Sequence, residues 1–490
     1  MRKKSQTFVH SLSAIWHRWS EHPWFAKGMF LLLFLLAIAL RLYGINSEVL
    51  WFDEIASVTK AGLPTLSEVS RKVLATETTP PLYYLLLHFW LKISASTEWI
   101  RLSSTLMSLA CLATTGLLAY RIKGTALALL SCFLMAISQY QIYYAQEARA
   151  YAGLMLICVV AALLLSRCFD EPSRKRNWLF YAIALTVGMH FHYCFYFTLL
   201  GHAGYAAWNL SCRPIARRQT WKMLLVIGLL AGVNLFFAAR MFSLQRGEGL
   251  TDWIPRMSWG NFLGVLRSFS CGISATLSKH LINACVLIGL SMWTWFFCSK
   301  TVSVKWRGRL FWFAVFPMAF MIVLSFWIPV VFYGTRYLSI CQPFFVIALA
   351  GGFLAFPKRW NILLLSVLSV IWLMAVQNAV NTTQKRRYDL AAEIIADQKH
   401  EGDSVLVIPN YSYECLNYFR PDIAPALDFP TSDLADRFEH IFGAGQRVWV
   451  VSITPSETTQ ERMMQPFAER NMSVDMPRGP YLRVSRYVAK

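Results

Sequence analysis

The stretch LWFDEIAS, residues 50–57, places two adjacent carboxylates, Asp53 and Glu54, shortly after the first long apolar run of the chain, Gly28 to Leu40. A carboxylate is costly beside membrane hydrocarbon and persists there mainly for function or for pairing with a cation. Two interpretations follow from the local sequence. The acids act at the outer membrane face, as a general base or as cation ligands, or they form an exposed pair that favours the start of a helix.

The composition indicates a membrane protein with many spans. Hydrophobic residues make up 56% of the 490 residues and charged residues only 15%, which lies far from the usage of soluble domains. Apolar runs long enough to cross the bilayer number about eleven. After the first run, they are centred near Leu109, Leu130, Ile157, Ala184, Leu200, Leu230, Leu287, Val323, Ile347 and Val367.

The distribution of charge predicts the orientation. Residues 381–490 carry 13 Lys or Arg and 15 Asp or Glu, whereas residues 1–380 carry 34 and 12. The basic residues fall in alternate short loops between apolar runs, on the side of the N-terminus, which is the positive-inside pattern. We therefore expect a cytoplasmic N-terminus, an extracytoplasmic C-terminus and no nucleic-acid partner, because no basic face is clustered on a soluble domain.

The predicted fold class is an α-helical polytopic membrane protein with a small C-terminal extracytoplasmic α/β domain. Residues 1–380 form the membrane domain, with a first extracytoplasmic loop at about residues 46–98, and residues 381–490 form the second domain. In this tail, apolar strands alternate with helices. The predicted helices are Tyr388–Lys399, Leu434–Phe442 and Glu461–Glu469, and the predicted strands are Asp403–Ile408, Arg447–Val451 and Tyr481–Tyr487.

Three further polar groups fall in predicted outer loops. Residues 139–151, QYQIYYAQEARAY, contain Glu147 and Arg149, and a second arginine, Arg336, precedes Tyr337. Arg149 either binds a phosphate through its fork of donors or forms a surface pair with Glu147 in an interfacial aromatic belt. Arg336 either binds an anion or extends to lipid headgroups.

The third group contains His190, His192 and Tyr193. Two histidines two residues apart are compatible with a metal site, but no third ligand is adjacent, so an interfacial polar tip is the commoner explanation. Carboxylate, arginines and aromatic residues on one side of the membrane suit a lipid-linked phosphate donor and an uncharged polar acceptor.

Several of these motifs, in this order, resemble the GT-C superfamily of glycosyltransferases. The resemblance is carried by Asp53-Glu54 after the first span, Pro80-Pro81-Leu82-Tyr83-Tyr84, Gln146-Glu147-Ala148-Arg149, and Arg336-Tyr337-Leu338 before a later span. The protein O-mannosyltransferase and aminoarabinose-transferase-like families of bacterial membrane proteins are the most similar. The resemblance covers most of the membrane part and, more weakly, the tail.

The resemblance implies transfer of a sugar, with inversion, from a polyprenyl-phosphate carrier to a lipid, glycan or protein acceptor outside the bacterial inner membrane. It implies that Asp53 is the general base, supported by Glu54, and that Arg149 and Arg336 hold the donor phosphate. Glu147, His192, Tyr193 and Tyr337 are candidate donor-binding neighbours.

The sequence leaves the cofactor and the class of function open. No cofactor is certain, and a divalent cation is left open. Thr78-Thr79 stand where many relatives carry His before the double proline, so this chain lacks the histidine to which such a metal role would be tied. The alternative functions are a transporter or flippase of lipid-linked sugars and a non-enzymatic scaffold. A transporter would show repeated halves and charges at mid-membrane, and neither feature is visible in the sequence.

Overall fold

The computed structural model describes residues 23–212, 217–247, 258–273, 277–300, 302–328, 334–382, 385–408, 412–423, 447–452, 467–475 and 482–489. Packing divides the chain into two compact units. The membrane unit comprises Met1–Tyr43 and Leu63–Asn378, and the C-terminal unit comprises Gly44–Gly62 and Ala379–Lys490. A segment of the first predicted extracytoplasmic loop therefore packs with the tail.

Helices dominate the described residues. The first ten are α1 (Pro23–Leu42), α2 (Phe52–Ala61), α3 (Leu66–Thr76), α4 (Leu82–Leu91), α5 (Thr97–Ile137), α6 (Gln139–Ala145), α7 (Tyr151–Asp170), α8 (Lys175–Phe191), α9 (Phe195–Cys212) and α10 (Arg217–Gly247). The others are α11 (Trp259–Cys271), α12 (Lys279–Cys298), α13 (Val304–Leu310), α14 (Phe316–Ser325), α15 (Gly334–Tyr337), α16 (Gln342–Ala355), α17 (Lys358–Asn381), α18 (Tyr388–Gln398) and α19 (Tyr413–Phe419). A π-helical turn, Phe311–Val315, joins α13 to α14, and a 3₁₀ turn, Leu338–Cys341, joins α15 to α16.

The membrane unit confirms a multi-pass membrane protein. Within the described ranges, 8 helical segments are long and apolar enough to cross a membrane, with α13 to α14 counted as one segment and α15 to α16 as another. Every predicted span centre lies in a helix. Helix α5 contains two of these centres, and the shorter helices α8 and α9 contain one each. The helical backbone of α5 is interrupted at Lys123 and at Gly124, whose φ of 73° is a conformation that suits glycine.

A buried arginine ties the first span to the turn that carries Arg149. Arg41 is fully buried; its Nε donates to Ser108 Oγ (2.9 Å) and its Nη2 to the carbonyl of Met135 (3.1 Å). The last carbonyls of a helix have no partner within it, so Arg41 satisfies the end of α5. The Gln146 amide then donates to the Arg41 carbonyl (2.9 Å), which fixes the residues that precede Arg149.

The C-terminal unit is built on a four-stranded sheet with the order β1-β2-β4-β3. Its strands are β1 (Ser404–Ile408), β2 (Arg447–Ser452), β3 (Phe467–Asp475) and β4 (Arg483–Ala489). β1 and β2 are parallel, whereas β4 is antiparallel to both β2 and β3. Helix α18 and three of the strands fulfil the sequence prediction.

One predicted helix of the tail is wrong where the structure describes it. Residues 467–469 of the predicted helix Glu461–Glu469 begin β3, because pairing with β4 outweighs the local helical preference. Residues 461–466, like the predicted helix Leu434–Phe442, lie outside the described residues.

Asp403 joins the first two strands through its carboxylate. It accepts hydrogen bonds from the His400 N–H (3.1 Å), Trp449 Nε1 (3.1 Å) and Arg447 Nε (2.8 Å). Burial raises the pKa of Asp403, but these hydrogen bonds lower it more, so its folded pKa lies below the usual value. The ionised carboxylate therefore stabilises the folded C-terminal unit.

This hydrogen bonding predicts an acid-dependent stability. The stabilisation from Asp403 is present above the unfolded pKa of about 3.9 and is lost as pH falls through the lower folded pKa. We expect Asp403→Asn to destabilise the sheet by about 1–2 kcal/mol near neutral pH, a figure reduced because Arg447 is partly exposed. Hydrogen exchange of the β1 and β2 amides, measured against pH, checks this; a variant difference that is constant down to pH 2 would contradict it.

Candidate functional site

The two adjacent carboxylates occupy the first turn of α2, in the C-terminal unit, where negative charge favours a helix start. Their environments differ. Asp53 is half-buried and its main-chain carbonyl accepts from Ser57 Oγ (2.9 Å), whereas Glu54 is fully buried. Lys385 Nζ donates to Glu54 Oε2 at 2.6 Å. The structure thus gives Glu54 a charged partner within its own unit and leaves Asp53 the more accessible acid.

In the membrane unit, Arg149 lies in the turn between α6 and α7, and its side chain is only 13% exposed. Its Nη1 donates to the Tyr84 hydroxyl (3.2 Å), and its Nη2 lies 3.5 Å from Glu77 Oε2. The Ser104 hydroxyl contacts its carbonyl at 3.5 Å. This arginine is therefore held near the residues around the double proline instead of extending into solvent.

His192 lies in the turn between α8 and α9 and is 2% exposed. Its Nδ1 accepts from the Cys194 N–H (3.1 Å), so the neutral ring carries its proton on Nε2. Burial, with a smaller effect from the charge of Arg149, lowers the pKa of His192 to about 3. Within the described residues its Nε2 has no hydrogen-bond partner. A neutral, oriented N–H donor results.

Aromatic side chains hold this ring in place beside a cavity of about 210 Å³. The rings of Tyr151 and Tyr337 lie 5.6 and 5.7 Å from that of His192, measured between centroids. The cavity is lined by Thr78, His192, Tyr193, Cys194, Tyr196, Phe197, Leu235, Ala238, Ala239 and Tyr337. It is mostly apolar, with a few polar groups near His192.

The remaining candidates of the membrane unit, Arg336 and Glu147, share an electrostatic partner, Tyr144 of α6. Arg336 is half-buried and Glu147 is buried, and both interact electrostatically with the Tyr144 phenol. The membrane unit thus brings Arg149, His192, Tyr193 and Tyr337 together, with Arg336 and Glu147 around a neighbouring tyrosine. Asp53 and Glu54 belong to the C-terminal unit.

Sequence reasoning did not assign roles to Tyr84, Thr78 or Lys385. Thr78 and Tyr84 flank the double proline, and this motif is the sequence signal that points to them. Lys385 belongs to a basic run, residues 385–387, and the sequence shows this run only as part of the charge of the tail.

The histidine pair does not form a metal site in this structure. His190 is exposed whereas His192 is buried, so the two rings lie in different environments. Over the ranges that the structure describes, no three His, Cys, Asp or Glu side chains form a group that holds a metal ion.

Part of the membrane unit resembles a known protein family. Residues 78–237, which contain Arg149 and His192, match the family described as dolichyl-phosphate-mannose-protein mannosyltransferase. No curated protein matches the chain. Among solved structures, ArnT from Cupriavidus metallidurans in the apo state matches with a TM-score of 0.56 and 11% identity, over 94% of this chain and 98% of that one.

Two further structures share the architecture. Archaeal oligosaccharyltransferase AglB from Archaeoglobus fulgidus matches with a TM-score of 0.57 and 11% identity, over 91% of this chain and 71% of that one. Arabinofuranosyltransferase AftD from Mycobacteria matches with a TM-score of 0.50 and 15% identity, over 93% and 40%.

The chain has the GT-C fold. The resemblance seen in the sequence is confirmed for the fold, and residues 78–237 of the membrane unit carry the similarity to the mannosyltransferase family. At these identities the structural likeness carries the fold, whereas the roles of single residues stay predictions.

Proposed function

We propose that this chain is a glycosyltransferase of the bacterial inner membrane that moves a sugar from a polyprenyl-phosphate carrier to a lipid, glycan or protein acceptor on the extracytoplasmic face. The GT-C fold and the mannosyltransferase-like match support the reaction class. Solved structures of the same fold include ArnT bound to undecaprenyl phosphate and AglB in complex with a dolichol-phosphate, which supports a donor of this kind.

The observation that carries the proposal is a polar cluster at the side of an apolar cavity. Arg149 and the Nε2–H of His192 supply a cation and a neutral donor, and Phe197 and Leu235 line the same cavity as His192. A polyprenyl phosphate has this division, with an anionic head joined to an apolar chain. Charged phosphate and guanidinium groups form strong paired hydrogen bonds.

In the proposed reaction the sugar is transferred in a single displacement. The acceptor oxygen attacks the anomeric carbon, and the bond from that carbon to the phosphate oxygen breaks. The bonding electrons leave with the polyprenyl phosphate, and Asp53 takes the proton of the acceptor hydroxyl. One displacement on the face opposite the leaving group inverts the anomeric configuration.

Charge develops on the departing phosphate in this step, and we assign its stabilisation to Arg149 and Arg336. Preorganised donors aimed at developing charge are effective where bulk water is excluded, and Arg149 is largely buried. His192 stays neutral over the working pH range, because its pKa is far below 7. It therefore donates a hydrogen bond without adding a second charge beside Arg149.

Replacing His192 by Phe is expected to lower kcat/KM for the donor by about 10- to 100-fold, the effect of losing a hydrogen bond to a charged group. His192→Gln, which keeps an N–H donor, retains part of the activity. Initial rates at limiting donor check this. Equal rates for the Phe variant and the wild-type enzyme would remove His192 from the donor site.

A panel of radiolabelled polyprenyl-phosphate sugars, given to the purified protein in liposomes with membrane extract as the source of acceptor, tests the function. We expect label from one donor to enter a product whose anomeric configuration is inverted. A folded protein that consumes none of the donors, but moves them between leaflets, would replace this proposal with the transporter. A divalent cation is tested in the same assay by EDTA treatment followed by addition of single metals.

A further inference from the structure

A buried ion pair joins the helix that carries Asp53 to the start of the tail. Lys385 Nζ lies 2.6 Å from Glu54 Oε2, and the two side chains are 8% and 0% exposed. The backbone N–H of Lys385 also donates to Glu48 Oε1 at 3.0 Å. Lys385 thus contacts a carboxylate before α2 and another in its first turn, and all three residues belong to the C-terminal unit.

Helix α2 depends on such contacts for its position. It has 10 residues, and isolated helices of this length are marginal in water. Besides Lys385, it packs against α19, where Asp53 interacts electrostatically with Cys415 and Glu54 with Tyr418. The C-terminal unit therefore provides the surface on which α2 is ordered.

We propose that Lys385 is a positioning residue for the reaction: through Glu54 and Glu48 it fixes the start of α2, and thereby the direction of the Asp53 carboxylate. This inference rests on the proposed function, in which Asp53 is the base. It gives Glu54 a different task from Asp53. Glu54 holds the helix through Lys385 instead of handling the acceptor, and the tail is required for the chemical step.

The physical reason is that a buried ion pair tolerates the loss of neither partner. Removing Lys385 leaves the Glu54 carboxylate buried without this cation, and the first turn of α2 must shift to hydrate it. A displacement of about 1 Å at a reacting group is enough to lower a rate by about 100-fold. The donor, held by the membrane-unit arginines, should bind as before.

The test compares Lys385→Met, Glu54→Gln and the exchanged pair Glu54→Lys/Lys385→Glu in the full-length protein in liposomes. We expect each single variant to lower kcat by about 100-fold with an unchanged KM for the donor, and the exchanged pair to recover part of the loss. Lys399→Met is the matched control, because within the described residues the Lys399 ammonium donates to the carbonyl of Ile423. It should keep the wild-type kcat.

Hydrogen exchange supplies a readout that does not depend on activity. Amides of residues 52–61 should exchange about tenfold faster or more in Lys385→Met, with the sheet amides of β1 and β2 unchanged. Unchanged protection of α2, or an unchanged kcat, would overturn the positioning role. Inactivity of the wild-type protein with every donor would count against the proposed function alone, since the exchange experiment still decides whether Lys385 orders α2.

Discussion

Replacing Asp53 by Asn is expected to lower kcat for sugar transfer by about 10²- to 10⁴-fold, the contribution of a general base. The amide preserves the shape of the side chain and its place in the first turn of α2 but accepts no proton from the acceptor hydroxyl. Because the donor-binding residues belong to the membrane unit, donor binding should persist. Transfer of radiolabel and binding of the donor are measured on the same liposomes, at equal protein.

Asp397→Asn is a matched control for this change, since it removes an exposed carboxylate from the same unit. It should transfer sugar at the wild-type rate. Loss of transfer in Asp53→Asn with donor still bound places Asp53 in the chemical step. Equal transfer by the Asp53 and Asp397 variants would reject the general-base assignment.

Replacing Arg149 by Ala is expected to lower kcat/KM for the donor by about 10²- to 10³-fold, as found when one preorganised donor to a developing anion is removed. Arg149→Lys keeps the positive charge but loses the planar fork that pairs with phosphate oxygens, so it should recover only part of the rate. Steady-state kinetics with varied donor concentration separate the effect on KM from the effect on kcat.

Arg174→Ala serves as the control, because Arg174 forms an exposed pair with Glu171 at 2.9 Å and its side chain is 55% exposed. Exposed ion pairs contribute little to stability. The activity of the Arg174→Ala variant should therefore equal that of the wild-type protein. Arg149 also contacts Tyr84 and Glu77, so thermal unfolding of each variant is measured alongside. A stable, fully active Arg149→Ala protein would exclude this arginine from donor binding.

The membrane part of the fold could be predicted because apolar runs of membrane length are local features. Each predicted span centre falls in a helix, including the short hairpin of α8 and α9. The strand β3 could not be predicted, since residues 467–475 are ordered by pairing with residues 483–489 and not by their own preferences.

Asp53, Arg149 and His192 could be chosen as candidates from the sequence, because each carries unusual chemistry at a predicted membrane edge, and their roles stay predictions. The contacts that support them could not be predicted, because these contacts join distant segments. The contact of Arg149 with Tyr84 spans 65 residues and that of Glu54 with Lys385 spans 331. No local pattern marks which residue of the basic run Lys385-Arg386-Arg387 pairs with a buried glutamate.

The separation between Glu54 and Lys385 also has a consequence for biosynthesis. At about 5–20 residues per second, the ribosome makes Lys385 roughly 20–70 s after Glu54. During that interval helix α2 is without the lysine that pairs with Glu54 in the finished protein. The order of synthesis therefore completes the surroundings of α2 only after the helices of the membrane unit have been made.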